Sequence, residues 1–164
     1  MTIGLEEVEL ADSTLTVAGI AKYGVFYFFR DGDRFRNSFV VRINKEPDVP
    51  GGSGAIAHPA GGFLIAFSSV CTHMGCLLVQ PADDPANQPP LSGYPDELVC
   101  GPCPCHGTIF DLSRGGVVVL GPATQNLPQL KLRIEGDQLI AYKWWQERPY
   151  QHEDPREEIW PAGA

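Results

Sequence analysis

The chain has 164 residues, of which 43% are hydrophobic and 20% charged, and its formal net charge is -8. This length suits one domain, and the composition excludes a disordered polyelectrolyte. Because a negative surface repels phosphates, nucleic acid is not expected as a partner. The 18 glycines and 15 prolines favour short strands and turns over long helices. We therefore expect one domain over residues 1–164.

Transmembrane segments are not expected in this chain. The longest apolar stretch, Leu15–Phe29, is interrupted by Lys22 and is shorter than the ~18–20 residues that a spanning helix needs. The first ten residues have neither the basic start nor the apolar run of a secretory signal.

Seven stretches rich in Val, Ile, Leu, Phe or Tyr predict strands, because Gly, Pro, Asp or Asn bound most of them. They are Leu15–Ile20, Gly24–Arg30, Ser38–Ile43, Phe63–Phe67, Val117–Leu120, Leu130–Ile134 and Gln138–Trp144. Arg30–Asp33 and Glu135–Asp137 predict hairpin turns, in which Asp31, Asp33 and Asp137 are turn residues. Without a long helical period or an internal repeat, the pattern indicates an all-β antiparallel sandwich or barrel.

Two irregular segments and a polar tail complete the chain. Lys45–Gly62 and Pro81–Pro95 are rich in proline, which central strands do not accept, and the second segment is acidic. It follows the first cysteine group, so it is a candidate docking loop for basic partners, although a solvated loop is the simpler interpretation. The tail at about 146–164 can wrap the body, dock a partner or fray.

Two residue types outside the cysteine-rich region, histidine and tryptophan, need an interpretation. His58, in the first irregular segment, and His152, in the tail, lack ligand spacing and are predicted to be surface histidines. Trp144 and Trp145 end the last predicted strand, where we expect them to anchor the core or its rim, with a docking surface as the alternative.

All five cysteines and two of the four histidines lie between positions 71 and 106. They form two groups, Cys71-Thr-His73-Met-Gly-Cys76 and Cys100-Gly-Pro-Cys103-Pro-Cys105-His106-Gly. Cysteines used as core residues scatter along strands and do not gather with His, Gly and Pro. Thiolates and imidazoles are ligands for iron–sulfur clusters and zinc, and the Gly and Pro residues shape tight loops. Two such loops could close on one site.

Three interpretations of these groups compete. Unconnected disulfides or core thiols do not explain the crowding. A zinc site of two Cys and two His leaves Cys76, Cys100 and Cys105 unexplained, and its spacing fits zinc-finger patterns poorly. An iron–sulfur site with two histidines on one iron accounts for the pattern best.

The two groups resemble the ligand boxes of Rieske iron–sulfur proteins, C-T-H-M-G-C and C-P-C-H-G. The resemblance implies a Rieske-type antiparallel β-sandwich with a small, loop-rich cluster-binding subdomain at about 69–123. It implies one 2Fe–2S cluster per chain, held by Cys71 and Cys103 on the buried iron and by His73 and His106 on the outer iron.

Further features resemble the Rieske proteins of cytochrome bc complexes. In that group the second cysteine of each box, here Cys76 and Cys105, forms a disulfide, whereas Rieske dioxygenases and their ferredoxins generally lack it. Gly121–Pro128 resembles the proline loop that covers the cluster. Cys100 is then left over, and we predict a buried thiol.

Two residues after the second box depart from the bc pattern, which usually continues H-G-S-x-Y. Thr108 replaces the serine and can still offer a hydroxyl to a cluster sulfide. Phe110 replaces the tyrosine and cannot offer its phenol to a ligand thiolate. Because each donor stabilises the reduced cluster, a lowered potential is expected, which suits menaquinol better than ubiquinol.

The resemblance implies a one-electron carrier, an electron-transfer subunit of a quinol-oxidising complex in which His106 faces the quinol. Its expected partners are cytochrome b and a cytochrome c or similar acceptor, at the periplasmic or outer face of a membrane, with a cytoplasmic location still open. One alternative is the small subunit of a molybdenum oxidoreductase resembling arsenite oxidase, which the non-tyrosine residue Phe110 fits. Another is a soluble Rieske ferredoxin of an oxygenase.

Overall fold

A computed structural model describes residues 15–29, 38–49, 52–73, 76–78, 99–123 and 125–145, without the side chains of residues 143 and 144. Its strands are β1 (Phe26–Phe28), β2 (Ser38–Ile43), β3 (Ile56–Ala57), β4 (Phe63–Ser68), β5 (Val99–Cys100), β6 (Ile109–Asp111), β7 (Val117–Leu120), β8 (Gln129–Glu135) and β9 (Gln138–Trp144). A 3₁₀ turn, Leu112–Arg114, separates β6 from β7. In these ranges no helix is long and apolar enough to cross a bilayer.

The strands form two antiparallel sheets. The large sheet has the order β1-β2-β4-β8-β9, and β3 also pairs with β4. β3 pairs with the start of β4 and β8 with its end, whereas β2 pairs with β4 along its whole length. The small sheet has the order β5-β6-β7. The predicted all-β antiparallel fold is confirmed.

Side chains that alternate along the strands of the large sheet fill two separate cores, because successive residues of a strand point to opposite faces. The inner core also receives residues from the small sheet and so lies between the sheets; it comprises Phe26, Phe28, Phe39, Val41, Ile43, Ile65, Phe67, Cys71, Leu78, Cys100, Cys103, Phe110, Leu112, Ala123 and Leu127. The outer core comprises Val17, Ile20, Phe29, Val40, Leu64, Ala66, Leu130, Leu132, Leu139 and Ala141.

β2 shows how the sequence produces this arrangement. Its six residues, SFVVRI, are all buried, and four of them are apolar, with Ser38 at the start and Arg42 near the end as the polar exceptions. The buried Arg42 guanidinium donates hydrogen bonds to the carbonyl oxygens of Gly61 and Ala21 and stacks 4.4 Å from the Tyr23 ring centroid. These contacts offset the cost of burying a charge.

The predicted strand boundaries need four corrections. Leu15–Ile20 is wrong as a strand, because Thr16 makes one isolated bridge to Gln138 and the backbone then turns, with the N–H of Gly19 bonded to the Thr16 carbonyl. In the described part of Gly24–Arg30, residues 24–29, only β1 is a strand. Lys45–Gly62 is not wholly irregular, since it contains β3. β5 and β6 were not predicted, because two or three residues carry too little alternating pattern.

Five of the seven predicted strands agree closely with β2, β4, β7, β8 and β9. The predicted turn at Glu135–Asp137 joins β8 to β9, with Gly136 at a φ of 60°. The turn at Arg30–Asp33, the acidic segment Pro81–Pro95, and the tail with His152 lie outside the described residues, and so do Asp31 and Asp33.

The prediction of a surface position for His58 is wrong. The side chain is 7% exposed, its Nε2 lies 3.0 Å from the Val17 carbonyl oxygen, and its Nδ1 accepts a hydrogen bond from the Ala60 N–H. The ring thus ties the segment before β4 to the turn before β1. Trp145 is half-buried, with the Lys131 amino group 5.3 Å from its ring centroid.

Candidate metal centre

The first cysteine loop follows β4 directly. An isolated bridge pairs Val70 with Leu77, and inside it the Cys71 N–H donates to the Cys76 carbonyl at 2.8 Å. The fully buried Thr72 hydroxyl donates to the Gln125 carbonyl at 2.7 Å. Main-chain hydrogen bonds therefore close the loop at its base, and the Thr72 side chain connects it to the segment that follows β7.

The second cysteine loop connects β5 to β6. The Cys103 N–H donates to the Thr108 carbonyl, and the Gly107 N–H donates to the Cys103 carbonyl, both at 2.8 Å. Gly101 has a φ of 123°, and a Cβ there would lie 2.6 Å from the Thr108 carbonyl oxygen. Only glycine fits this approach, so the turn presents Cys103 and His106 from a tightly constrained backbone.

A disulfide between Cys76 and Cys105 joins the tips of the two loops, with their Cα atoms 6.4 Å apart. The pairing implied by the resemblance is thus confirmed. The two bonded cysteines are 29 residues apart in sequence. The first loop follows β4 of the large sheet and the second joins two strands of the small sheet, so the disulfide connects loops that start from different sheets.

The side chains of the two box histidines lie next to each other. The ring centroids of His73 and His106 lie 4.8 Å apart at an interplanar angle of 85°. His73 is half-buried and His106 is exposed. The Nδ1 atom of His73 is buried without a hydrogen-bond partner among the described residues. A buried ring nitrogen in this state requires an explanation, and a metal ion at that atom supplies one.

The two cysteines of the boxes that are not in the disulfide lie deeper than the histidines. Cys71 is 1% exposed and Cys103 is 3% exposed, and both belong to the inner core. The Sγ atoms of Cys76, Cys103 and Cys105 lie within 4.8 Å of one another. Because bonded sulfurs cannot act as thiolates, this trio is no ligand set; it shows instead that Cys103 lies against the disulfide.

Cys100 is the third buried cysteine, after Cys71 and Cys103. The side chain is fully buried on β5, which confirms the predicted buried thiol. Burial raises the pKa of this thiol far above its ordinary value, and electrostatic repulsion from Cys103 and Cys71 raises it further. Cys100 therefore keeps its proton, and its side chain shares the inner core with Cys71 and Cys103.

Thr108 and Phe110, the two residues at the departures from the bc pattern, are both fully buried. The Thr108 hydroxyl has no hydrogen-bond partner among the described residues, although a buried hydroxyl without one costs about 1–3 kcal/mol. This unused donor fits an acceptor bound between the loops. Phe110 contributes only an apolar ring to the inner core.

The segment from Gly121 to Pro128 contacts both loops. A Cβ on Gly121 would lie 2.5 Å from the Thr108 Cα, so the backbone of this segment lies directly on the second loop. The first loop is reached through Gln125, which accepts the bond from Thr72. Thr124 lies outside the described residues.

Two supporting residues were not identified from the sequence. Thr72 holds the first loop, and Gln129 connects three segments, accepting from the Gly54 N–H and donating to the Gly115 carbonyl. A single polar residue carries no pattern that distinguishes it from a surface residue. The position of Thr72 between two predicted ligands was the only available signal.

The family model described as the Rieske [2Fe-2S] domain matches residues 39–131, more than half of the chain. The chain belongs to this family, and its cofactor is a Rieske-type 2Fe–2S cluster. The unpaired nitrogen of His73, the unpaired hydroxyl of Thr108 and the buried cysteine pair all fit such a group.

Relatives come from more than one kind of complex. The chain is 40% identical over 80 residues to iodate reductase subunit IdrB of Pseudomonas sp. (strain SCT), covering 48% of this chain and 35% of the relative. It is 33% identical over 128 residues to the cytochrome b6-f complex iron-sulfur subunit of Chlorobaculum thiosulfatiphilum, covering 73% of this chain and 62% of the relative. Each match thus spans less than two thirds of the relative.

A third relative is the cytochrome bc1 complex Rieske iron-sulfur subunit of Streptomyces lividans, 35% identical over 45% of this chain and 36% of that protein. The solved structure of the soluble domain of Rieske protein II (soxF) from Sulfolobus acidocaldarius matches with a TM-score of 0.56 and 23% identity. That match covers 90% of this chain and 85% of the other. It establishes the shared fold.

Proposed function

We propose that Cys71, His73, Cys103 and His106 hold the cluster and that this Rieske electron carrier serves a quinol-oxidising complex of the cytochrome bc type. The observation that carries the ligand assignment is the edge-on pair of imidazoles, which is less buried than the cysteine pair of the same two loops. Two cysteines inside and two histidines outside are the arrangement that a cluster with two unlike irons needs.

When bound, a Rieske cluster supplies one-electron redox chemistry at a potential raised by its neutral imidazole ligands. The chain's own residues determine access to it. The exposed His106 ring can receive a hydrogen bond from a quinol hydroxyl and take up its proton, whereas the buried cysteines exclude water from the other side. His106 is thus the proposed quinol-facing residue.

Two observations support the bc assignment. The disulfide between Cys76 and Cys105 is a feature of the bc type and argues against a soluble oxygenase ferredoxin. The relative from a cytochrome b6-f complex matches 73% of this chain. The proposed partners are cytochrome b and a cytochrome c or similar acceptor, and the proposed location is the outer face of a membrane.

A second candidate is the small Rieske subunit of a molybdenum oxidoreductase resembling arsenite oxidase, and the similarity to a subunit of an iodate reductase favours a redox enzyme outside the bc complexes. The apolar Phe110 agrees with this candidate. In it, the same exposed imidazole would face a partner protein rather than a quinol.

Purification of the tagged chain from its native cells in mild detergent, followed by metal and haem analysis, tests these proposals. Co-purifying haem b with electron paramagnetic resonance (EPR) signals of a reduced Rieske centre supports the bc type, and co-purifying molybdenum supports the second candidate. A protein that holds zinc and no acid-labile sulfide would overturn the ligand proposal itself.

A further inference from the structure

Three sulfur atoms lie close together where the two cysteine loops are joined. The Sγ atoms of Cys76, Cys103 and Cys105 lie within 4.8 Å of one another, and the first and last of them form the disulfide. Cys103 is a free cysteine whose side chain is 3% exposed. The other free cysteines, Cys71 and Cys100, do not belong to this trio. A sulfur nucleophile is thus held next to a bond that it can cleave.

We propose that Cys103 exchanges with this disulfide when it is not bound to iron, so that the two loops form a site of internal thiol–disulfide exchange. This inference rests on the proposed ligand set. The Cys103 thiolate attacks the sulfur of Cys76, a Cys76–Cys103 bond forms, and the Cys76–Cys105 bond breaks. The Cys103 thiol loses its proton to solvent and the released Cys105 sulfur takes one up, so the exchange needs no oxidant or reductant.

The positions of the three cysteines determine which sulfur is attacked. A bond from Cys103 to Cys105 would close a ring over Pro104 alone, and the proline restricts the backbone that such a ring needs. A bond from Cys103 to Cys76 joins two separate loops instead. It also leaves the negative charge on the exposed Cys105, where water solvates it, and not on the half-buried Cys76. The Cys76–Cys103 pair is therefore the expected product.

The main chain of Cys103 keeps the thiol beside the disulfide. Its N–H donates to the Thr108 carbonyl, and its carbonyl accepts from the Gly107 N–H, both at 2.8 Å. In the loaded centre the Cys103 thiolate is occupied as a ligand and cannot attack. Once iron is lost, attack within the molecule needs no encounter with a second thiol and is therefore favoured. Because the exchange uses up a proposed ligand, we expect it to close the empty site to iron.

Disulfide mapping tests the exchange without a measurement of electron transfer. Holoprotein with a reduced Rieske EPR signal is divided, and one half is stripped of iron by a chelator without added thiol or oxygen. Both halves are denatured at acidic pH, where few thiols are ionised, in excess N-ethylmaleimide, and non-reducing mass spectrometry locates the bonds. We expect Cys76–Cys105 in the loaded half and Cys76–Cys103 in the stripped half, with the maleimide label shifted from Cys103 to Cys105.

Two variants form a matched pair, because each lacks one proposed cysteine ligand and therefore lacks the cluster without stripping. Cys71→Ser keeps the attacking thiol and should contain the Cys76–Cys103 bond. Cys103→Ser lacks the attacking thiol and should retain the Cys76–Cys105 bond. The difference between the two variants separates exchange by Cys103 from a general effect of cluster loss.

A Cys76–Cys105 bond together with labelled Cys103 in the stripped wild-type protein would overturn the proposal. A bond from Cys71 or Cys100 to Cys76 would also overturn it, because it would show that the cysteines exchange at random in an unfolded chain. The wild-type measurement decides even where a variant fails to fold. Absence of the Rieske EPR signal from the wild-type holoprotein would instead contradict the proposed ligand set.

Discussion

The large sheet and the small sheet with its two loops are stabilised by different means. The large sheet has strands of up to seven residues and buries side chains on both faces. The small sheet has strands of two to four residues, and its loops are held by turn hydrogen bonds, a disulfide and contacts through Thr72 and Gly121. The large sheet is therefore stabilised mainly by the burial of apolar side chains, whereas the two loops of the metal centre depend on a few specific bonds.

The largest expected effect concerns the ligands. Cys71→Ser, His73→Ala, Cys103→Ser or His106→Ala should each abolish normal cluster assembly, because each removes one of the four proposed ligands. The large sheet should still form. Iron and sulfide analysis, EPR and far-UV circular dichroism measure both outcomes.

Cys100→Ser is the matched control for the cysteine ligands, since it changes a neighbouring buried cysteine that is outside the proposed set. It should retain iron and sulfide. A ligand variant that keeps a full Rieske spectrum would contradict the assignment of that residue.

The next effect concerns the disulfide. Replacing both Cys76 and Cys105 by serine removes a bond that closes a loop of 29 residues, which should cost about 3–4 kcal/mol in the free energy of unfolding. Because the bond joins only the loops, the first symptom should be faster loss of the cluster. The decay of visible absorbance against denaturant concentration measures it. Equal cluster lifetimes in variant and wild type would show that the hydrogen bonds alone hold the loops.

A substitution in the outer core gives the opposite pattern. Val40→Ala truncates a fully buried side chain on the face of the large sheet away from the loops, and should cost about 2 kcal/mol in the free energy of unfolding. The potential and the EPR spectrum should not change. A shifted potential would mean that the two regions are mechanically coupled.

The smallest effect concerns the tuning of the potential. Phe110→Tyr adds a phenol to a fully buried ring and should raise the potential by roughly 40 mV, the one-electron equivalent of ~1 kcal/mol, by donating to a ligand sulfur. Thr108→Ala should lower it. The wild-type value should lie below the top of the Rieske range of about -150 to +300 mV.

Protein-film voltammetry at a single pH measures these potentials, with Phe110→Leu as a control that changes the ring without adding a donor. An unchanged potential in Phe110→Tyr would remove the reason for preferring menaquinol as the electron donor.

The same contrast explains what could be predicted from the sequence. Long apolar stretches such as Ser38–Ile43 carry enough pattern to predict strands, and the two boxes identify the centre because few residue types suit this chemistry. β5 and β6 were missed because segments of two or three residues carry no recognisable pattern. They form strands only because they pair with neighbouring strands. His58 was misplaced since its burial depends on the carbonyl of Val17, 41 residues away.

The disulfide has a consequence for how long an assembled centre lasts. Cys105 is exposed, so a small thiolate from solvent can attack its sulfur and release Cys76 as a thiol. That exchange frees the two loops from each other, while the outer core of the large sheet, which contains no loop residue, stays intact. The lifetime of the assembled centre therefore depends on how reducing the thiols in its surroundings are. In a reducing medium the protein is expected to keep its fold while it loses its redox activity.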